Sequence, residues 1–299
     1  MEKQHDFNGF KSGFVALVGA PNAGKSTLLN KLLGEKLSIT SRKPQTTRHR
    51  ILGVVHRPEM QLVFVDTPGV HKASRALNVR MVDVALTALG DVDVVILMTD
   101  VYEPDEESDA YLVKQLQKVN RPVILGLNKV DRIKKPEVLT HIEKWRGIHA
   151  FHAIVPLSAK HGDQVDTLLA EIAKIMPEGP PFYPEDVITD LPERFFVAEM
   201  VREKIFRLTG QEIPYSTAVT VDTFEREKKL VHIEATIHVE RDSQKGIIIG
   251  KNGSKLKSIG EEARYAIEEM VGKKVFLKLF VRVEKNWCTD TKAIRRLGI

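Results

Sequence analysis

The segment that decides the fold is VALVGAPNAGKSTLLNKLL, residues 15–33, in which an apolar run turns through two glycines into a helical pattern. Within it, GAPNAGKS matches the phosphate-binding pattern G-x-x-x-x-G-K-[ST]. Such a turn presents backbone N–H groups to phosphate, and the N-terminus of the following helix attracts anions. We expect Lys25 to reach the β- and γ-phosphates of a nucleotide and Ser26 to ligate Mg²⁺. The loop residues expected to contact the nucleotide are Gly19, Ala20, Pro21, Asn22, Ala23, Gly24, Lys25, Ser26 and Thr27.

Strand-length apolar runs alternate with helical patterns through the first part of the chain. The runs are FVALVG, MQLVFVDT, VDVVILMTD and RPVILGLNKVD, and the helical patterns cover 25–33, about 76–89, 105–118, 136–147 and 163–176. This alternation predicts an α/β domain with a mainly parallel sheet, whose ligands lie at the carboxyl ends of the strands. Five prolines between residues 176 and 193 end the pattern. We assign residues 1–180 to this domain and residues 181–193 to a proline-rich linker.

The motif LGLNKVD predicts that the bound nucleotide carries guanine as its base. The carboxylate of Asp131 can accept hydrogen bonds from the N1–H and 2-amino groups of guanine, which adenine lacks on that edge. Lys129 is expected to pack over the ring, and SAK at 158–160 to close over the base with its backbone, although a plain strand-to-helix turn explains that short motif as well. The residues expected at the base are Asn128, Lys129, Val130, Asp131, Leu157, Ser158 and Ala159.

The motif FVDTPG supplies the remaining contacts to metal and phosphate. Asp66 is expected to hold Mg²⁺ through a water, and the Gly69 N–H to contact the γ-phosphate; Thr67 and Pro68 lie between them. Because these contacts need the triphosphate, the loop after Gly69 is expected to order and release with hydrolysis. Thr46 or Thr47 completes the Mg²⁺ coordination, and the sequence does not choose between them. Lys25, Thr46, Thr47 and Gly69 are the residues expected to act in catalysis.

Two further residues near these motifs bear on the mechanism. Val70 follows DTPG where Ras-like proteins carry the glutamine that orients water, so slow intrinsic turnover is expected. Asn22 resembles the asparagine that holds K⁺ beside the phosphates in potassium-activated nucleotide hydrolases. We therefore hypothesise that K⁺ binds beside Asn22. His71 is an unassigned loop histidine. Residues 36–50 contain five Lys/Arg and no acid, which suits either a polyanion contact or a solvated loop.

Composition and charge set wider limits. The single cysteine, Cys288, fits a reducing compartment and is expected to be a buried thiol. No apolar run approaches the roughly 20 residues that span a bilayer, and the N-terminus lacks a signal-peptide core. Residues 181–240 carry 7 Lys+Arg against 12 Asp+Glu, whereas residues 241–299 carry 14 against 7. This asymmetry indicates a basic face for a polyanion, or a solvated helix surface.

The second domain, residues 194–299, contains a GxxG turn. Its predicted order is a helix at 194–208, strands at about 215–224 and 230–240, helices at 243–249 and 254–270, a strand at 274–284 and a basic, polar tail. Two glycines between helices allow close approach to a nucleic-acid backbone, as in KH modules, with Ile247–Ile249 as an apolar floor for bases. Lys273 and Lys274 add charge. The candidate RNA-binding residues are Ile249, Gly250, Lys251, Asn252, Gly253, Lys255 and Lys257.

These motifs in this order, GAPNAGKS, DTPGVH, NKVD and SAK followed by a KH-like domain of the bacterial type II order and the tail VEKNWCTDTKAIRRLGI, resemble the Era family of GTPases along essentially the whole chain. The resemblance implies GTP hydrolysis, binding near the 3′ end of 16S ribosomal RNA, and a role in maturation of the small ribosomal subunit. It also implies a monomer in the cytoplasm with loose, peripheral membrane contact.

Two other functions are compatible with the residues. In one, a non-enzymatic assembly factor uses bound guanine nucleotide only to support its fold. In the other, a membrane-associated signalling GTPase binds anionic lipid through its C-terminal domain.

Overall fold

The computed structural model describes residues 9–39, 47–70, 76–210 and 213–299. They form two units. The first runs to Asp190 and the second from Leu191 to Ile299, while Ile39 and residues 76–79 group with the second. Thr46 and His71 lie outside the described residues.

The first unit is a six-stranded sheet with helices between the strands. Its strands are β1 (Lys11–Gly19), β2 (Ile51–Arg57), β3 (Met60–Asp66), β4 (Val94–Asp100), β5 (Val123–Asn128) and β6 (Ala153–Leu157). Its helices are α1 (Lys25–Leu33), α2 (Ala76–Thr87), α3 (Glu106–Leu116), α4 (Lys135–Arg146) and α5 (Val165–Ile175). The sheet order is β2-β3-β1-β4-β5-β6, and only the β2–β3 pair is antiparallel. The predicted α/β class with a mainly parallel sheet is confirmed.

The central strands are apolar on both faces because helices cover both sides of a parallel sheet. Every residue of β4 is buried, and the run VVIL has no exposed surface at all. The sequence did not predict β2, which follows the basic segment of residues 36–50. The β1, β3, β4 and β5 carboxyl ends meet at one edge, where Gly19, Asp66, Asp100 and Asn128 end their strands.

The proline-rich segment packs on the first unit over most of its length. The buried side chain of Gln61 accepts hydrogen bonds from the amides of Phe182 (2.7 Å) and Tyr183 (3.0 Å) and donates to the Tyr183 carbonyl (2.7 Å). The Val54 amide of β2 donates to the Ile188 carbonyl at 2.8 Å. Residues 182–188 thus bond to the Val54 amide of β2 and to the Gln61 side chain of β3, so much of the segment predicted as a linker is held in place.

The second unit is a three-stranded sheet with helices on one face. It contains α6 (Glu193–Leu208), β7 (Thr217–Arg226), β8 (Leu230–Val239), α7 (Asp242–Ile249), α8 (Ser254–Val271), β9 (Lys274–Val283) and α9 (Thr291–Arg296). The order is β7-β8-β9, with β7 antiparallel and β9 parallel to β8. A core of Val, Ile and Ala side chains from α6, α8 and β8 joins the sheet to the helices.

The C-terminal tail is not simply a polar extension. Trp287 is fully buried and its indole N–H donates to the Ser216 carbonyl at 3.2 Å, while Cys288 and Ile294 are also buried. The tail ends in α9, which the sequence analysis did not predict. Burying one tryptophan and an isoleucine is worth several kcal/mol at about 25 cal/mol per Å², which explains why a mostly polar segment docks. Cys288 is buried, as expected.

Candidate functional site

The phosphate-binding turn sits at the carboxyl edge of the first sheet, between β1 and α1. Gly24 has φ +99°, and a Cβ there would lie 2.0 Å from the Asn128 side-chain nitrogen, so only glycine fits. Lys25 is buried, and its ammonium donates to the carbonyls of Gly19 (3.0 Å) and Ala20 (2.9 Å). The lysine is therefore folded back over the turn that the β- and γ-phosphates would occupy.

Burial also changes the protonation of this lysine. Loss of solvation lowers the pKa of Lys25 from 10.5 to about 8, and the nearby carboxylates of Asp66 and Asp109 oppose the shift. An anion placed beside Lys25 stabilises the charged form. Phosphate binding and protonation of this lysine thus favour each other.

Oxygen donors suited to Mg²⁺ converge beside the turn. The Ser26 hydroxyl donates to Asp66 Oδ2 at 2.7 Å and lies 2.8 Å from the Thr47 hydroxyl, and Ser38 donates to the same carboxylate at 3.2 Å. The other oxygen, Asp66 Oδ1, is buried without a hydrogen-bond partner among the described residues. Burial raises the pKa of Asp66, with Lys25 and the hydroxyls opposing. A hard cation would satisfy this oxygen, so the residues present fit Mg²⁺.

These contacts bear on the metal-ligand candidates. Ser26, Asp66 and Thr47 lie together, and Thr46 lies outside the described residues. No group of three or more His, Cys, Asp or Glu side chains suited to a metal occurs in the parts of the chain that the structure describes.

The turn after β3 packs against the phosphate-binding turn. The Val70 amide donates to the Gly19 carbonyl at 3.1 Å, and the Thr67 hydroxyl donates to the Leu17 carbonyl at 2.7 Å. Val70 itself is fully buried in the core with Val18 and Val65. Its side chain faces the core and has no group that could orient water, and slow intrinsic turnover stays a prediction.

The base-recognition residues follow β5. Asn128 is buried, its Nδ2 donates to the Ala23 carbonyl at 2.7 Å, and its Oδ1 accepts the Ala159 amide at 2.9 Å. One side chain thus ties the phosphate turn to the loop after β6. The 157–160 segment begins with buried Leu157 and turns sharply, with the Gly162 amide donating to the Ser158 carbonyl at 2.7 Å. The short SAK motif therefore lies beside the NKVD motif.

Lys129 and Asp131 flank the predicted base position. Lys129 has φ +67°, and its ammonium pairs with Asp100 Oδ2. Asp131 follows Val130 in a short 3₁₀ turn, with its side chain 22% exposed and its Oδ2 3.6 Å from His161 Nε2. The sequence analysis missed Asp100; the signal was its place at the end of β4, at the same edge as Asp66 and Asn128.

The GxxG turn of the second unit is exposed between α7 and α8. Gly250 and Gly253 have φ +72° and +76°, and Asn252 has φ +51°. Lys251 and Asn252 are exposed, so the turn presents backbone and one charge to solvent. Gly253 caps α8, whose N-terminal N–H groups add a site for a phosphate.

An adjoining groove of about 430 Å³ runs from Gly253 and from Leu256 of α8 to Leu277 and Leu279 of β9. Lys257 also lines it and lies 3.9 Å from Glu261, which offsets part of its charge. The predicted apolar floor needs one correction: Ile248 is fully buried in the core, while Ile247 is 46% exposed. Ile249 and Lys255 are partly exposed beside the turn. Successive residues of a helix point about 100° apart, so Ile248 can face the core while Ile247 faces solvent.

Comparisons with known proteins show which family the chain belongs to. Residues 14–129 match a family of 50S ribosome-binding GTPases, and residues 212–288 match the KH domain. The chain is 52% identical to GTPase Era of Geobacter metallireducens, over 97% of this chain and 98% of that one. It is 50% identical to GTPase Era of Coxiella burnetii, over 96% and 97%.

Two solved structures are similar to this chain over nearly all of its length. A point variant of Aquifex aeolicus Era bound to GDP and AlF₄⁻ superposes with a TM-score of 0.92, 41% identity, and coverage of 97% of this chain and 99% of that one. Era in complex with MgGDPNP and nucleotides 1506–1542 of 16S ribosomal RNA superposes with a TM-score of 0.94 and 42% identity, with the same coverage.

Proposed function

Because this chain belongs to the Era family of GTPases, it binds GTP and hydrolyses it to GDP and phosphate, and we propose that this reaction switches its affinity for the 3′ end of 16S ribosomal RNA during assembly of the small ribosomal subunit. The observation that carries the proposal is the exposed GxxG turn, with left-handed glycines and Lys251 at the N-terminus of α8, in the same chain as the nucleotide site. Support comes from the Era relative solved with MgGDPNP and nucleotides 1506–1542 of that RNA.

The residues of the first unit have distinct roles in hydrolysis. Lys25 moves from the carbonyls of Gly19 and Ala20 to the β- and γ-phosphates, and the backbone N–H of Gly69 meets the γ-phosphate. Ser26, Thr47 and Asp66 would hold Mg²⁺, and the ion would supply positive charge that offsets the charge of the phosphate oxygens. Since Val70 is buried, another group must position the attacking water. GTP turnover is slow until a partner or an ion supplies that group.

In the second unit, the GxxG turn clamps the RNA backbone while bases enter the groove beside it. KH modules hold about four nucleotides in this way. Gly253 allows the turn to lie against phosphate, and Lys251, Lys255 and Lys257 supply charge, so the affinity falls steeply as salt rises.

The test compares Gly253→Asp with Gly272→Asp in the full chain. Both glycines have left-handed φ, and neither has an atom near an added Cβ, but they lie at opposite ends of α8. We expect Gly253→Asp to weaken binding of single-stranded RNA from the 16S 3′ end by at least about tenfold, with basal GTP hydrolysis near normal. Gly272→Asp keeps both properties. Equal RNA affinity for all three proteins contradicts the proposed clamp.

Two further measurements address the switch and its biological role. RNA affinity is expected to differ between the GDPNP-bound and GDP-bound chain; equal affinities contradict nucleotide control. Cells that rely on the Gly253→Asp variant are expected to accumulate unprocessed 16S precursor, and normal processing there argues against a role in maturation.

Potassium activation is also part of the proposal. Asn22 lies in the phosphate turn with φ +63° and an exposed side chain, where a cation beside the phosphates would be. Asn22→Gly keeps the left-handed backbone and removes the side chain. We expect faster hydrolysis in KCl than in NaCl for the unaltered chain and no difference for the variant. Equal rates for the unaltered chain in both salts exclude K⁺.

No helix in the described ranges is both long and apolar enough to cross a membrane. Peripheral membrane contact, a cytoplasmic location and a monomeric state stay predictions of the family resemblance.

A further inference from the structure

The second unit has an aromatic and basic sheet face on the side away from its helices. Along β9, Val275 belongs to the core and Leu277 and Leu279 pack against it, so the alternate residues point the other way. Those residues are Lys274, Phe276, Lys278, Phe280 and Arg282, and the set is completed by His232, the β8 residue paired with Phe276. We call this set the β9 face.

Its two phenylalanines are unusually exposed for large apolar side chains. Phe276 is 49% and Phe280 is 42% exposed. The His232 ring stacks on Phe276 with centroids 5.0 Å apart and planes 19° apart, and the Lys278 ammonium lies 4.8 Å from the Phe280 ring centroid. Flat stacking and cation–π contact are the two interactions that nucleic-acid bases make with such platforms.

The positive charge of β9 favours a polyanionic ligand. β9 has three cationic residues, Lys274, Lys278 and Arg282, and no acidic residue. The acids that approach it belong to neighbouring elements: Glu268 pairs with Lys274 at 3.4 Å, and Glu234 pairs with Lys278 at 3.2 Å. These exposed pairs are weak, and phosphate can replace the carboxylate.

The spacing fits a single strand laid along β9. Residues four apart on a strand lie about 13 Å apart on the same face. Bases stacked on Phe276 and Phe280 would therefore leave room for at least one nucleotide between them, with Lys278 between the rings to meet its phosphate.

The β9 face is also continuous with the groove beside the GxxG turn. β9 is an edge strand of the sheet formed by the described residues, and Lys278 lines the groove while belonging to the outer face. A strand that leaves the groove can pass over this edge without a break in positive charge.

We propose that single-stranded RNA extends from the GxxG groove over the edge of β9 and stacks two bases on Phe276 and Phe280. This inference rests on RNA binding by the GxxG turn and adds a second contact to it. It predicts that affinity depends on the length of the RNA: a strand of four nucleotides fills the groove, and a longer one also reaches the β9 face.

The experiment measures binding of RNA from the 16S 3′ end, about four or about twelve nucleotides long, to the full chain. For the double variant F276A/F280A we expect about a tenfold loss per ring for the longer RNA and no change for the shorter. The F276Y/F280Y variant keeps the rings and the affinity, whereas F276L/F280L keeps apolar bulk and loses affinity. The control is Tyr265→Ala, which removes a 63% exposed ring from α8. We expect it to leave the affinity for both RNAs unchanged.

The possible results separate this proposal from the proposed function. Unchanged affinity of F276A/F280A for the longer RNA overturns stacking on the β9 face, and so does full affinity of F276L/F280L. If F276A/F280A loses the same affinity for both RNAs, the proposal is also overturned, because the two rings would then affect binding in the groove and not binding on the β9 face. If Gly253→Asp leaves the shorter RNA unaffected, the proposed clamp fails instead. Ultraviolet crosslinking should attach the longer RNA within residues 274–283, and preferential binding of anionic vesicles there contradicts an RNA platform.

Discussion

The Asn128 side-chain nitrogen lies 2.7 Å from the Ala23 carbonyl oxygen, so a residue of the base-recognition motif holds the phosphate-binding turn. The same side chain accepts the Ala159 amide at 2.9 Å. Three segments far apart in the chain meet at this buried amide. Both halves of the nucleotide site therefore depend on one residue that need not touch the nucleotide to matter.

Asn128→Ala tests this connection. The substitution leaves the Ala23 carbonyl and the Ala159 amide buried without their partner, at a cost of about 1–3 kcal/mol for each group left unpaired. We expect GTP and GDP to bind at least about tenfold more weakly and the first unit to unfold at a lower temperature. The matched control is Asn120→Ala at an exposed position. A normal nucleotide affinity measured by calorimetry contradicts the assigned role.

Asp131→Asn tests the choice of base. An amide cannot accept both hydrogen bonds from guanine N1–H and its 2-amino group, but it can donate to the carbonyl that xanthine carries instead. We expect GTP affinity to fall by at least about 100-fold and XTP to become the better ligand. Asp166→Asn, on an exposed residue of α5, should leave the preference unchanged. GTP binding as tight as in the unaltered chain would refute the guanine assignment.

The pKa of Lys25 predicts how nucleotide binding depends on pH. Burial lowers this pKa to about 8 in the free protein. Because phosphate binds the charged lysine better, affinity should fall as pH rises through 8 and the lysine loses its proton, approaching tenfold per pH unit above that value.

Titration of the nucleotide base at alkaline pH contributes in the same direction, and Lys25→Ala reports that contribution separately. The variant should bind GDP more weakly at pH 7 and show a flatter profile between pH 7 and 9. Parallel profiles for the two proteins would exclude Lys25 as the titrating group.

Asp109 predicts a pH-dependent stability. It is buried on α3, and the Thr99 hydroxyl donates to its Oδ2 at 2.5 Å. Burial raises the pKa of Asp109 from 3.8 to about 6. The folded protein therefore holds this proton between pH 4 and 6 while the unfolded chain has lost it, so this group's contribution to stability falls as pH rises through that window and stays low above pH 6.

Asp109→Asn removes the ionisation and keeps an oxygen that accepts from Thr99. The free energy of unfolding of the variant should exceed that of the unaltered chain by about 1–3 kcal/mol at pH 7.5 and by little at pH 4. Chemical denaturation at both pH values measures this. A variant that is less stable at pH 7.5 would show that the charged carboxylate is stabilised by contacts beyond Thr99.

The sequence predicted the site better than it predicted the chain between its motifs. GAPNAGKS, DTPG and NKVD each follow an apolar strand, and their order along a parallel sheet brings them to one edge. β2 was missed because the residues before it are basic and polar, and its strand character comes from antiparallel pairing with β3 and from cover by residues 182–188. α9 was missed because its segment is mostly polar and folds only by burying Trp287 and Ile294.

What the sequence determined by itself was local: a turn that only glycines can make, a lysine and hydroxyl beside it, a carboxylate predicted to tell guanine from adenine, and a second glycine turn between helices. The tertiary structure decided what depends on contacts between distant segments. It placed Asn128 against Ala23, left Asp66 Oδ1 buried without a hydrogen-bond partner among the described residues, lowered the pKa of Lys25 by burial, and put Ile248 in the core while Phe276 and Phe280 face solvent. Periodicity gives the spacing of side chains along an element, whereas burial and partners are set only when that element packs.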